Sequence, residues 1–166
     1  MIGPAVDDEL PPLARTVTRE DVRAYAEASG DRNPLHLDDT VARAAGFDGV
    51  IAHGMFTMGH MAACVTRWAG PGAVVERLSA QFRAPVAIGE GIVAGGRVTA
   101  VEEVPGGEVE GEVGAGEVRG PWLRVTVAAW VTGGGRGSGR AGGGPDAPEA
   151  TWPIRKGEVV VRIPAA

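Results

Sequence analysis

The stretch "HGMFTMGHMAACVTRWAG", residues 53–70, constrains the fold more than any other. Met55, Phe56, Met58, Gly59, Met61, Ala62, Ala63, Val65 and Trp68 leave it apolar on nearly every side when wound at helical spacing. A helix apolar all round is one that the rest of a protein wraps. The period then changes. "AVVERLSAQFRAPV", "EGIVAGGRVTAVEEV", "PWLRVTVAAWV" and "GEVVVRIP" carry the β-branched enrichment and partial alternation of strands. Pro85 and the pair Gly95-Gly96 predict an edge or a bulge rather than flat central pairing. One buried helix followed by four strands implies an α+β domain, with an antiparallel sheet packed on a long central helix.

Ahead of that helix, "RTVTREDVRAYAEASG" reads as a short strand ending at Thr18, which N-caps a helix. Thr18 and Asp21 form the T-x-x-D variant of a capping box, and Gly30 is a natural C-cap. Val22, Tyr25, Ala26 and Ser29 fall on one narrow face of it. "DDTVARAAG" is a second, shorter helix, for which Asp38 and Asp39 read as caps. Residues 1–14, rich in proline and acid, are expected to form a flexible segment. Residues 15–166 then form one domain, interrupted at 133–150 by a Gly-rich stretch read as an insertion outside the fold. A chain of 166 residues buries roughly 70% of its unfolded surface, enough for a core without staples.

Composition removes several function classes. No run reaches the ~18–20 apolar residues of a membrane span, and "MIGPAVDDELPPL" lacks the basic start and apolar run of a secretion signal. A single cysteine, Cys64, rules out an internal disulfide and points to a reducing cytoplasm. The net charge of −5 argues against nucleic acid as a partner. That charge is uneven. Residues 1–118 carry nine arginines against eighteen acids, whereas from Arg119 onward seven basic residues face three acidic ones.

"GDRNPLH", residues 30–36, is the stretch that carries chemistry. Fully extended, the five-position separation between Asp31 and His36 would hold the two residues roughly 16 Å apart. Gly30, Asn33 and Pro34 favour the bend that brings them together, and Leu35 and Leu37 flank the imidazole in alternation. A carboxylate and an imidazole on one water are equipment for proton transfer near neutral pH. Read separately, each also suits a turn or a satisfied structural position. His53 and His60 read as structural, and His36, His53 and His60 do not make a convincing metal site. Gly54 could serve close packing of helix on sheet.

Taken together, "YAEASGDRNPLHLDDTVARAAGFDGVIAHGM", residues 25–55, resembles the signature of the MaoC-like (R)-specific enoyl-CoA hydratases (hydratase 2). The resemblance implies a single hot-dog domain, an antiparallel sheet wrapped around the central helix. It implies a hydro-lyase of fatty acid or polyketide metabolism, in which Asp31 and His36 hold the water added to a trans-2-enoyl thioester. Asn33 and Pro34 would position the loop, and the backbone N–H of Gly54 would stabilise the developing oxyanion. Helix-start N–H groups lack intrahelical partners, and the macrodipole favours negative charge there. Met55, Phe56 and Met58 are the acyl-pocket candidates. Relatives often place a small polar residue deeper in the helix, where this chain has Ala62 and Ala63.

No metal or cofactor is implied beyond the substrate's own carrier, coenzyme A or an acyl carrier protein. The expected assembly is a homodimer, pairing with a non-catalytic hot-dog subunit being the other possibility. Two alternatives remain open at this level. One is a dehydratase for a carrier-protein-bound polyketide-like intermediate, docked around Arg119, Arg124, Arg155 and Lys156. The other is a non-catalytic acyl-thioester-binding subunit, which retention of both Asp31 and His36 disfavours; the same motif disfavours a thioesterase.

Overall fold

The computed structural model describes residues 3–105, 121–134 and 151–165. Its elements run β1 (Leu13–Thr16), α1 (Arg19–Ser29), a 3-10 turn (Pro34–His36), α2 (Asp39–Ala44), α3 (Gly54–Ala69), β2 (Val74–Phe82), β3 (Gly91–Val104), β4 (Trp122–Gly134) and β5 (Thr151–Pro164). The strands form one sheet in the order β1-β3-β4-β5-β2, every neighbour antiparallel. The α+β class read from the change of period is the one observed. Gly133 and Gly134, assigned above to the Gly-rich insertion, belong to β4; the rest of that stretch lies outside the described residues. β5 begins at Thr151, six residues before the expected start at Gly157.

Local chemistry sets the first helix. The Thr18 hydroxyl accepts from the Asp21 N–H, and the Asp21 carboxylate accepts from the Thr18 N–H. Such a cap stabilises a helix by about 1 kcal/mol. Gly30 closes it at φ 76°, a left-handed conformation that only glycine enters cheaply. The helix therefore delivers the chain at a fixed angle into Asp31.

Helix α3 meets the sheet through Thr57, His60, Met61, Cys64 and Val65, spaced i, i+3, i+4, i+7, i+8 as one buried face requires. Met61 and Val65 are fully buried among Ile92, Val127, Val159 and Val161, each such side chain contributing about 1.5–3 kcal/mol. Gly157 of β5 makes the close seat possible: a Cβ there would lie 2.5 Å from Met61 Sδ and 2.9 Å from the Ala129 carbonyl oxygen. The expectation that α3 is wrapped on all sides is corrected. Met55 is 54% exposed and Gly59 is exposed, with Met58, Ala62 and Ala63 only part-covered. One chain has a single sheet to offer, and it covers one face.

Two further expectations change. The N-terminal segment is held against β3: Leu10 is in the core, its N–H donates to the Gly96 carbonyl (2.9 Å), and Asp7 and Asp8 bond Val98. One well-placed leucine outweighs the surrounding prolines and acids. Gly95-Gly96 mark neither edge nor bulge, since β3–β4 pairing runs unbroken through them and shifts only between Val98 and Ala100. They are glycines because Cβ atoms there would approach Trp130 Nε1 to 2.8 Å and Val127 Cγ1 to 2.7 Å. The sheet's edge strands are β1 and β2; among the described residues β2 pairs only with β5 and leaves Val74, Val75 and Phe82 exposed. Among the described residues, no helix is long and apolar enough to cross a membrane.

Candidate active site

The loop after α1 is tied by its own side chains. The Asp31 carboxylate accepts from the Asn33 N–H (3.1 Å), and the Asn33 amide oxygen accepts from the Leu35 N–H (3.1 Å). These Asx turns, with Pro34 fixing φ, start the 3-10 turn that ends on His36. The bend folds a five-residue span back on itself. One ligand-capable atom each of Asp31, His36 and His53 lie within 4.8 Å of one another.

Each imidazole is oriented by a backbone carbonyl. His36 Nδ1 lies 2.9 Å from the Ile51 oxygen, and His53 Nε2 lies 3.0 Å from the Asp31 oxygen. A carbonyl only accepts, so both nitrogens carry hydrogen. In the neutral rings this leaves His36 Nε2 and His53 Nδ1 as acceptors. The two rings stack at 3.9 Å between centroids, and Tyr25 packs on the outer side of His53 at 4.9 Å. His53 is buried, and among the described residues its Nδ1 has no hydrogen-bond partner. Asp31 is exposed and His36 half-buried, so the pair faces outward from a packed imidazole. Asp31, His36 and His53 also form a set that could ligate a divalent cation. His60, grouped with the other histidines above, points elsewhere and bonds the Leu13 carbonyl oxygen at 2.9 Å.

Beside His36 is a cavity of about 340 Å³, walled by His36, Ile51, His53, Gly54, Thr57 and Phe82 among others; Asp31 does not line it and stands next to it through His36 and His53. Gly54 opens α3, and among the described residues its N–H has no partner. A Cβ at Gly54 would touch the Phe82 ring at 3.4 Å, so the residue leaves the helix start open without being needed to avoid a clash. Met55, Phe56 and Met58 do not line this cavity. Met55 faces solvent, and Phe56 packs edge-on against Tyr25 at 5.9 Å. Thr57 lines it instead, its hydroxyl donating to the Gly54 carbonyl at 2.6 Å. It supplies a small polar group one turn into α3, where Ala62 and Ala63 supply none. Sequence reasoning read His53 as structural and did not single out Thr57; the local signal for both was their place beside Gly54.

The family model for the MaoC like domain matches residues 3–119. The chain belongs to the MaoC-like domain family. Within that family it is 44% identical over 79 residues to a 3-hydroxybutyryl-CoA dehydratase of Methylorubrum extorquens, a match covering 47% of this chain and 50% of that protein. It is 40% identical over 88 residues to an (R)-specific enoyl-CoA hydratase of Rhodospirillum rubrum, covering 52% and 61%. The match thus spans about half the length of these curated relatives. Over 98% of the chain and 84% of the other, the MaoC-like domain superposes on the unliganded R-hydratase PhaJ1 of Pseudomonas aeruginosa, with TM-score 0.71 and 23% identity. The fold is the hot-dog fold that the motif implied.

Of the basic residues expected to dock a carrier protein, Arg124 is already engaged by Glu76 at 2.7 Å and Glu102 at 3.8 Å. Arg119 lies outside the described residues. Arg155 and Lys156 are exposed.

Proposed function

We propose that this MaoC-like protein reversibly hydrates trans-2-enoyl thioesters to (3R)-hydroxyacyl thioesters. The observation that carries the reading is that His36, which lies within 4.8 Å of Asp31 through one ligand-capable atom each, lines one cavity together with Gly54, whose N–H has no partner among the described residues. A water held between Asp31 and His36 gives its hydroxyl to the β-carbon and a proton to the pair. The pair returns that proton to the α-carbon on the same face, so no co-reactant is consumed. Negative charge gathers meanwhile on the thioester oxygen, where the Gly54 N–H and the start of α3 stabilise it. Asn33 and Pro34 hold the loop that presents both groups. The acyl chain runs along Thr57, Phe82 and Ile51. No resident metal or cofactor is part of the scheme, and the working unit is a homodimer. A second copy would cover the free edge of β2 and the exposed Met55 and Phe82, apolar surface that a lone sheet edge otherwise offers for aggregation.

Loss of the enoyl-thioester absorbance of crotonyl-CoA tests this directly. Wild type is expected to form the (3R)-hydroxy product, and folded Asp31→Asn and His36→Gln variants to lose at least ~100-fold in rate. A folded wild type inactive on crotonyl-, longer enoyl- and carrier-protein-bound substrates would sink the reading and favour a binding module.

A further inference from the structure

A second cavity of about 570 Å³ adjoins the first and is lined by Arg83, Ala84, Arg155 and Lys156. Arg83 and Ala84 wall both cavities. Three cations around one hollow stand out in a chain of net charge −5. Among the described residues, no carboxylate forms an ion pair with any of them.

The backbone is built to gather them. Consecutive residues of a regular strand point to opposite faces, yet Arg155 and Lys156 line the same cavity. Their position explains how. On β4, Ala129 and Val131 pair with Gly157 and Ile154, so Arg155 and Lys156 together face the single residue Trp130. On β2, the neighbours Gln81 and Phe82 pair with Lys156 and Ile154, and Arg155 is the extra residue. This is a β-bulge, which re-aims side chains and recurs beside active sites. Arg83 is fastened next to it, its N–H donating to the Pro153 carbonyl at 3.0 Å. Its guanidinium is steadied by the Gln81 side-chain oxygen at 2.7 Å.

Like charges so gathered repel unless an anion sits among them, and guanidinium forks match phosphate oxygens bidentately. We infer that Arg83, Arg155 and Lys156 seat the phosphate groups of the thioester's carrier, with the thiol arm passing Arg83 and Ala84 to reach His36. The inference rests on the thioester reading above and names the part of the substrate that this reading left open. Several phosphates fit three cations better than one, which favours coenzyme A over the single phosphate of a carrier-protein arm.

The test compares hydration of crotonyl-CoA, crotonyl-4′-phosphopantetheine and phosphate-free crotonyl-pantetheine by wild type and by Arg155→Ala/Lys156→Ala, neither residue lining the catalytic cavity. The double variant is expected to raise KM for crotonyl-CoA by about tenfold or more at unchanged kcat, leaving crotonyl-pantetheine unaffected. A rise shared by the phosphopantetheine thioester assigns the seat to the phosphate both carriers have. A rise confined to crotonyl-CoA assigns it to the nucleotide's phosphates. An active wild type whose KM for crotonyl-CoA survives the substitutions overturns the seat and leaves the hydratase reading standing. Calorimetric titration with free coenzyme A separates the reverse case: charge-dependent binding by a wild type that hydrates nothing keeps the seat and removes the hydratase. Should the double variant fail to fold, Lys156→Gln and Arg155→Gln singly give the same readout.

Discussion

Two histidines, one capping α3 and one within it, look alike on paper and stand in different surroundings. His53, at its start, and His60, at its middle, are both buried, and each bonds through Nε2 to a backbone carbonyl at 3.0 and 2.9 Å respectively. Around His60 the story ends there: it pins α3 to β1 through Leu13, and the core closes over it. Around His53 it does not. Its carbonyl belongs to Asp31, its ring packs on His36, its Nδ1 is left without a partner among the described residues, and an open cavity lies alongside. The same residue type and the same bond thus lock a strand in one region and hold the Asp31–His36 loop beside a cavity in the other. What separates them is what the bonded segment goes on to do.

Substitutions can break that contrast, and the start of α3 should respond most. Gly54 is the first helical residue, where proline fits and its missing N–H is no loss to the helix. His53 before it is already extended, at ψ 138°, as a residue preceding proline must be. Gly54→Pro is therefore expected to leave the melting curve near wild type while kcat falls ~10²–10³-fold, as loss of one oxyanion donor does elsewhere. Gly54→Ala keeps the N–H and meets only the Phe82 ring edge, so its kcat should stay within a few-fold. Equal losses in the two variants would refer the effect to shape and not to the N–H.

A smaller effect is expected at His53. His53→Phe keeps a ring in the stack and removes the N–H that holds the Asp31 carbonyl. A misaligned acid–base loop should reduce kcat by about 10- to 100-fold with little change in KM. His53→Gln, whose amide can donate to the same carbonyl, should recover part of that loss, which simple destabilisation would not explain. His60→Phe is the matched control, expected to lower the unfolding midpoint and leave kcat per folded molecule unchanged. If both histidines affect kcat alike, the contrast between the two regions fails.

Legibility in the sequence divides along similar lines. The α1 cap, the Gly30 stop, the α3 face and the strand periods are local signals, and they place the elements and the fold class. Asp31 and His36 are visible because five residues and one Asn-Pro corner define their bend. The contact of His53 with Asp31 spans 22 residues, and nothing near either end announces it. Gly95-Gly96 misled because a glycine gives one signal for a bulge and for a crowding neighbour. The cationic cavity was half visible, as Arg155 and Lys156, but Arg83 joins them only through a strand pairing and a register shift. That the same patch had to surrender Arg124 follows from Glu76, a residue 48 positions away that completes the pair.

The smallest expected effect is the most diagnostic of how His60 differs. Burial pushes its pKa below the ordinary 6.5, with Arg15 and Arg67 acting in the same direction against the Leu13 bond. In the unfolded chain the imidazole regains its usual affinity, so on acidification that state takes up the proton first. Stability is then unaffected by His60 above about pH 6.5 and declines as pH falls below it, until the folded pKa is reached. One proton limits the slope to about 1.4 kcal/mol per pH unit. Asp39 acts outside this window: held below 3.8 first by the Val50 N–H and then by Arg19, it stabilises above 3.8 and loses that contribution only as pH falls through its lower folded value. Urea midpoints of wild type and His60→Gln at pH 7.5, 6.5 and 5.5 make the measurement. The variant can still donate to the Leu13 carbonyl but cannot titrate, so its curve should be flatter between 6.5 and 5.5. An unchanged slope would mean that His60 is as easily protonated folded as unfolded, and that the core around α3 is wetter than its packing implies.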